Sequence, residues 1–124
     1  MHPHAEMLRE IYADLSRMDE YLHEDAVLHP AGHATDPQPR RGRPAVIAHV
    51  RAFVDATRNT LVMDASEIIA NDHFGAVLGT IRATEPQPIS MPFCGVWRFS
   101  GGLIVEHWEN PYDVDLVARA LSGP

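Results

Sequence analysis

Apolar residues follow a helical rhythm in the first half of the chain and a strand rhythm in the second. In AEMLREIYADL, Met7, Leu8, Ile11, Tyr12 and Leu15 fall at i, i+1, i+4, i+5 and i+8, which predicts an amphipathic helix starting near Ala5. Ser16 followed by Asp19 resembles a capping arrangement, and Met18, Tyr21 and Leu22 then predict a second, short helix ending near Glu24. The strand AVLH comes next and is stopped by Pro30. From Ala31 to Arg43 the residues are mostly Pro, Gly, Thr, Asp and Arg, which predicts a surface loop. Pro44 suits a first helical turn, and Val46, Ile47, Val50, Phe53 and Val54 give a third helix its buried stripe as far as about Thr57.

Beyond this point the stretches TLVMDASEIIA, FGAVLGTIRAT, ISMPFCGVWRF and LIVEHWEN are rich in β-branched and apolar residues. They are separated by the turn-forming segments NDHFG, EPQP and SGG, so four antiparallel strands are predicted. Pro92 inside the third of them points to a bulge or an edge there. Asp113 is placed as the N-cap of a last helix that carries Val114, Val117 and Leu121 on one face and ends at Ser-Gly-Pro. Helices followed by a run of strands predict an α+β fold, a cone-like curved antiparallel sheet wrapped around helices and enclosing a pocket. Neither an internal repeat nor a composition break divides the chain, and residues 1–124 read as a single domain.

Strand alternation sorts the last hairpin into faces. His107 and Glu109 share one face of its second strand, and Glu106 and Trp108 share the other. On the preceding strand Met91, Phe93, Gly95, Trp97 and Phe99 lie together. Periodicity alone leaves open which set of the second strand points into the pocket.

Composition narrows the classes of function. With 124 residues and 45% of them hydrophobic, there is enough for one core with one internal pocket. The net charge of −7, with no Lys/Arg run beyond Arg40, Arg41 and Arg43, argues against a nucleic-acid partner. No stretch is apolar enough for a membrane span or a signal peptide, so no membrane association and a cytoplasmic location are expected. The single cysteine, Cys94, forms no internal disulfide. Eight histidines raise the question of a metal. His29 and His33 have the spacing of a helical ligand pair, but Pro30 and Gly32 break any helix between them, and His2 and His4 sit at a terminus expected to be mobile. No metal and no organic cofactor are expected.

The stretch MDEYLHEDAVLHPAG and the hairpin VWRFSGGLIVEHWENPYD together resemble the SnoaL-like polyketide cyclases. These belong to the nuclear transport factor two-like superfamily, with ketosteroid isomerase and limonene epoxide hydrolase. The resemblance implies the cone fold and places Glu109 where the cyclases keep an acid/base aspartate. It places His29 where the isomerases have their general base. Gly95 departs from it, standing where cyclases tend to have a histidine and isomerases an oxyanion-binding acid. The Arg and Asp pair of the epoxide hydrolases has no clear counterpart in TIRAT, which makes epoxide opening the less favoured chemistry.

A carboxyl group set in an apolar cavity loses hydration, which favours its acid form and suits a general acid, while an imidazole can accept a proton at the same pH. Glu109 is therefore expected as acid and His29 as base in a cofactor-independent cyclisation or isomerisation of a small apolar, polyketide-like carbonyl substrate. Both are expected to open into one cavity between the first helix, the third helix and the sheet. Tyr12, Phe53, Met91, Phe93, Trp97 and His107 are expected to shape the substrate site, with His107 supporting the acid. The alternative is a non-catalytic binding or assembly module, favoured by the glycine at 95. Val96 and Trp108 on the other sheet face lead us to expect a homodimer.

Overall fold

The computed structural model describes residues 1–31 and 38–122, with the side chains of residues 120–122 left aside, so residues 32–37 of the expected loop, His33 among them, and the Leu121 side chain lie outside the described residues. The apolar stripe of the first helix is buried as its spacing requires: α1, Pro3–Ala13, turns Ala5, Met7, Leu8, Ile11 and Tyr12 inward. Its start is fixed by His2, whose Nδ1 accepts from the His4 amide at 3.0 Å. His2 and His4, expected at a mobile end, are tied to the sheet: His2 bonds Asp72 at 2.8 Å, and His4 bonds the Asn71 carbonyl at 3.0 Å. The expected second helix is a 3₁₀ helix, Leu15–Glu20, and its cap is Asp14, which accepts from both the amide and the hydroxyl of Ser16. It ends before Glu24 because Leu22 already belongs to the sheet as the first residue of β1, Leu22–His29.

A two-residue strand, β2 (Arg40–Arg41), lies within the stretch expected to be loop and pairs with β1 through Val27 and Leu28. The remaining elements are α2 (Arg43–Ala56), β3 (Val62–Ala70), β4 (Phe74–Ala83), β5 (Ile89–Ser100), β6 (Leu103–Pro111) and α3 (Val114–Ser122). The last begins with the predicted cap, the Asp113 carboxylate accepting from the Leu116 amide at 3.0 Å. The described strands form one curved, open sheet of six in the order β2-β1-β6-β5-β4-β3. One pairing is parallel, β1 with β6, because β1 returns to the sheet beside the last strand rather than the next one.

Pro92 lies in a central strand, and its pairing with β4 through Thr80 is regular. The edge is local: β6 leaves the sheet at Pro111, and beyond that only the Tyr112 amide reaches the Pro92 carbonyl, at 2.9 Å. A proline therefore costs no ladder bond on that side. The β5–β6 hairpin turns on Gly101 and Gly102, at φ 60° and 80°, a left-handed pair that glycine adopts without strain. No helix among the described residues is long and apolar enough to cross a membrane.

Candidate functional site

The hairpin register settles which face of β6 is inward. Trp97 pairs with His107 and Gly95 with Glu109, and because Trp97 is fully buried, all four lie on the core side. Between this face, α2, α3 and the C-terminal part of α1 is a cavity of about 80 Å³. Its walls are mainly apolar and aromatic, with Phe53, Phe93 and Trp97 among them, and its polar groups come from Tyr12, His49, His107, Glu109 and Asn110. Pro111, Val114, Val117 and Ala118 complete the wall on the α3 side.

Of the residues named from the sequence, Tyr12, Phe53, Phe93, Trp97, His107 and Glu109 line this cavity. Met91 does not: it is on the inward face of β5 but buried in the core beside the site. His29 must also be corrected. It pairs with Trp108 in the parallel β1–β6 register, and Trp108 belongs to the outer face, so the His29 ring stacks on the Trp108 ring with centroids 5.2 Å apart. Its Nε2 meets Glu106 Oε2 at 2.5 Å, while Arg98 holds the other oxygen of Glu106 at 2.9 Å. The neighbouring Leu28 takes the inward position, fully buried beside His107. The outer-face partners His29 and Arg98 hold the Glu106 carboxyl below its ordinary range despite its partial burial.

The imidazole that does face Glu109 is that of His49, on α2. Its Nε2 lies 2.9 Å from Glu109 Oε1, and its side chain is only 7% exposed. The sequence carried a signal for it, since His49 stands three residues after Val46 and four before Phe53, on the same buried stripe.

Tyr12 supplies the second polar centre. Trp97 Nε1 donates to its hydroxyl oxygen at 3.2 Å, so the Tyr12 proton itself is left for a ligand. Burial pushes the phenol well above its ordinary range and the charge of Glu109 adds to this, so Tyr12 remains a donor at any physiological pH. Gly95 makes its position available: a Cβ at 95 would overlap the Tyr12 hydroxyl. The Tyr12 hydroxyl from α1 thus occupies nearly the space that a side chain at 95 would fill.

His107 is held neutral. Its ring stacks on Trp97 at 3.5 Å, and burial pushes its pKa down to about 4 even though the Glu109 charge works the other way. Nδ1 is 2.9 Å from the Val96 carbonyl, which can only accept, so the ring proton sits on Nδ1. His107 is therefore a rigid wall with a free acceptor nitrogen and no proton to give near neutrality. Among the described residues no group of three or more His, Cys, Asp or Glu side chains is placed to hold a metal ion.

A curved, open sheet with an internal cavity between it and the helices is the cone fold of nuclear transport factor two-like proteins. The SnoaL-like domain matches residues 10–107, most of the chain, and the protein belongs to that family. The chain is similar in structure to Bal32a, from a soil-derived mobile gene cassette, with a TM-score of 0.79 and 22% identity over 90% of each chain. It is also similar to IdmH of Streptomyces antibioticus, a candidate polyketide cyclase, with a TM-score of 0.73 and 20% identity over 99% of this chain and 100% of that one. A protein of unknown function from Burkholderia pseudomallei, described as ntf2-like, gives a TM-score of 0.74 and 24% identity over 99% and 100% of the two chains. No curated protein sequence matches this chain.

Proposed function

We propose that the protein is a cofactor-independent acid/base enzyme that enolises an apolar, polyketide-like carbonyl compound for cyclisation or double-bond isomerisation. The observation that carries this reading is the Glu109–His49 pair at 2.9 Å, facing the same apolar cavity as the unspent Tyr12 proton. The substrate carbonyl oxygen accepts from Tyr12, which stabilises the negative charge that develops on it. Glu109 removes the proton from the neighbouring carbon, leaving an enolate, and returns it to the carbon that completes the product. His49 orients the carboxylate and shares the transferred proton, so Glu109 takes the role of base that was expected of His29, as well as that of acid. The likeness to IdmH, described as a candidate polyketide cyclase, supports the substrate class.

The test is proton exchange at carbon. With a β,γ-unsaturated cyclic ketone as probe, the protein should catalyse conjugation of the double bond, followed by ultraviolet absorbance. Glu109→Gln keeps size and hydrogen bonding, cannot accept and return the substrate proton, and should lower the rate about 10²- to 10⁴-fold. His49→Asn should lower it less and alter its pH profile. Unchanged turnover in Glu109→Gln would sink the acid/base role, and no turnover of any carbonyl probe by the parent protein would favour a ligand-holding module.

We propose also that the outer sheet face pairs two copies of the chain. Ile69, Ala76, Val96 and Trp108 are register partners across β3, β4, β5 and β6, and Phe74 and Leu78 flank that row on β4. Ile69, Phe74 and Leu78 are 66%, 51% and 44% exposed, an apolar strip that a second copy would cover.

A further inference from the structure

The cavity at Glu109 is small for a polyketide-like molecule. A water needs at least ~10–15 Å³ of such space, so about 80 Å³ is room for a handful of waters or one ring. Small-molecule sites run to ~300–1,000 Å³. A second cavity, of about 420 Å³, lies against the first, between α1, the 3₁₀ helix, α2 and the start of β3. Tyr12, Leu15, Val50, Leu61 and Met63 line both, so the partition is no thicker than these residues. The last four are only partly buried, and the leucines and the methionine have alternative staggered rotamers within reach. Side-chain rotation alone can join the two spaces.

The two chambers differ in chemistry. The inner one holds the reacting groups in an apolar wall. The outer one continues the apolar surface with Ile47 and Val54 but ends in a polar rim of Ser16, Arg51 and Asn59. Asp14 and Asp19 also line it, one oxygen of Asp14 accepting from Ser16 and one of Asp19 from Arg43. Arg51 is exposed, and none of the hydrogen bonds or ion pairs among the described residues involves its guanidinium, so it is the available donor at the rim.

We propose that the two cavities are one elongated site, gated by Leu15, Val50, Leu61 and Met63. Its substrate is a long molecule with a ring or carbonyl end at Tyr12 and Glu109 and an apolar chain through the gate. The far, oxygen-bearing end lies near Arg51. The assignment of the reactive end rests on the acid/base reading; the elongation does not.

Calorimetric binding of para-alkylphenols of increasing chain length tests this, with phenol as the probe of the inner chamber alone. Affinity should rise roughly fourfold per added methylene once the chain enters the gate. A terminal carboxylate should tighten the longer ligands further, and Arg51→Ala should remove that extra gain. Val54→Trp fills the outer chamber without touching the inner one and should abolish the chain-length gain while leaving phenol binding unchanged. Arg51→Trp, on the exposed side of the same helix, is a second obstruction that spares the core and should act likewise. A gain that persists in both tryptophan variants overturns the proposal, as does affinity that stays flat with chain length in the parent protein. Chain-length dependence in a protein that turns over no carbonyl probe would uphold the elongated site and overturn the acid/base reading alone.

Discussion

Burial fixes the protonation of His107 before any ligand arrives, and this makes stability depend on pH. Its folded-state pKa is about 4 against an ordinary 6.5. Between those values the unfolded chain takes up a proton that the folded protein refuses, so stability is complete above about pH 6.5 and falls as pH drops toward 4. The full window corresponds to on the order of 3 kcal/mol. Urea unfolding at pH 7 and pH 5 should show the loss, and His107→Gln should flatten the difference between the two. A second prediction at this scale concerns Gly95. Gly95→Ala puts a methyl group into the space of the Tyr12 hydroxyl, so the phenol must move away from Trp97. Turnover should fall roughly 10-fold or more, in line with loss of part of an oxyanion contact, while Tyr12→Phe in the same background should cost little further. Additive losses would show that the two residues act separately. Glu109 was legible as a site residue through the family resemblance of its hairpin, since strand alternation alone left its face open, and His49 was legible in principle from its helical spacing. The reversal at His29 was not, because the face of a short strand depends on its register with a distant neighbour, and that neighbour is β6.

Local chemistry set most of the elements. The helical stripe of α1, the proline at the start of α2, the Gly-Gly turn and the Asp113 cap all act over a few residues, and each is realised in the structure. What escaped the pattern depends on contacts distant in sequence. The chain between Tyr21 and Asp25 joins the sheet instead of extending a helix because Leu22 pairs with Ile104, and Arg40–Arg41 becomes a strand only by lying beside Val27 and Leu28. α3 connects this scale to the site, since Val114, Val117 and Ala118 line the cavity. The helix spans nine residues, too short to hold by propensity alone, so it depends on its cap and on packing. Asp113→Ala should cost about 1 kcal/mol locally. Amide hydrogen exchange in α3 should rise severalfold while exchange in β5 stays as it was. Equal acceleration in both elements would mean that α3 unfolds only with the whole domain.

At the scale of the molecule, the outer sheet face presents two kinds of surface. Its apolar strip faces solvent, and next to it Arg98 and His29 pair with Glu106 within one chain. Internal pairing matters for assembly, because a chain with a net charge of −7 is repelled by its own copy unless the meeting surfaces carry little net charge. The strip meets that condition on the β5–β6 side, where Arg98 and His29 offset Glu106, while Glu67, the register partner of Leu78, puts one carboxylate at its β3 side. A two-fold axis through it would set each strip against its equivalent, the geometry of an isologous pair. The site itself lies on the concave side, built from α1, α2, α3 and the inner sheet face of one chain, so pairing should leave the Glu109–His49 geometry intact. Sedimentation at micromolar concentration should therefore give a dimer. Phe74→Glu or Leu78→Glu, each placing a carboxylate in the strip, should shift it to monomer with catalysis of the carbonyl probe reduced less than about twofold, since neither residue supports the core. A parent protein that sediments only as monomer would remove the dimer. A dimer that survives both substitutions would move the interface to another face.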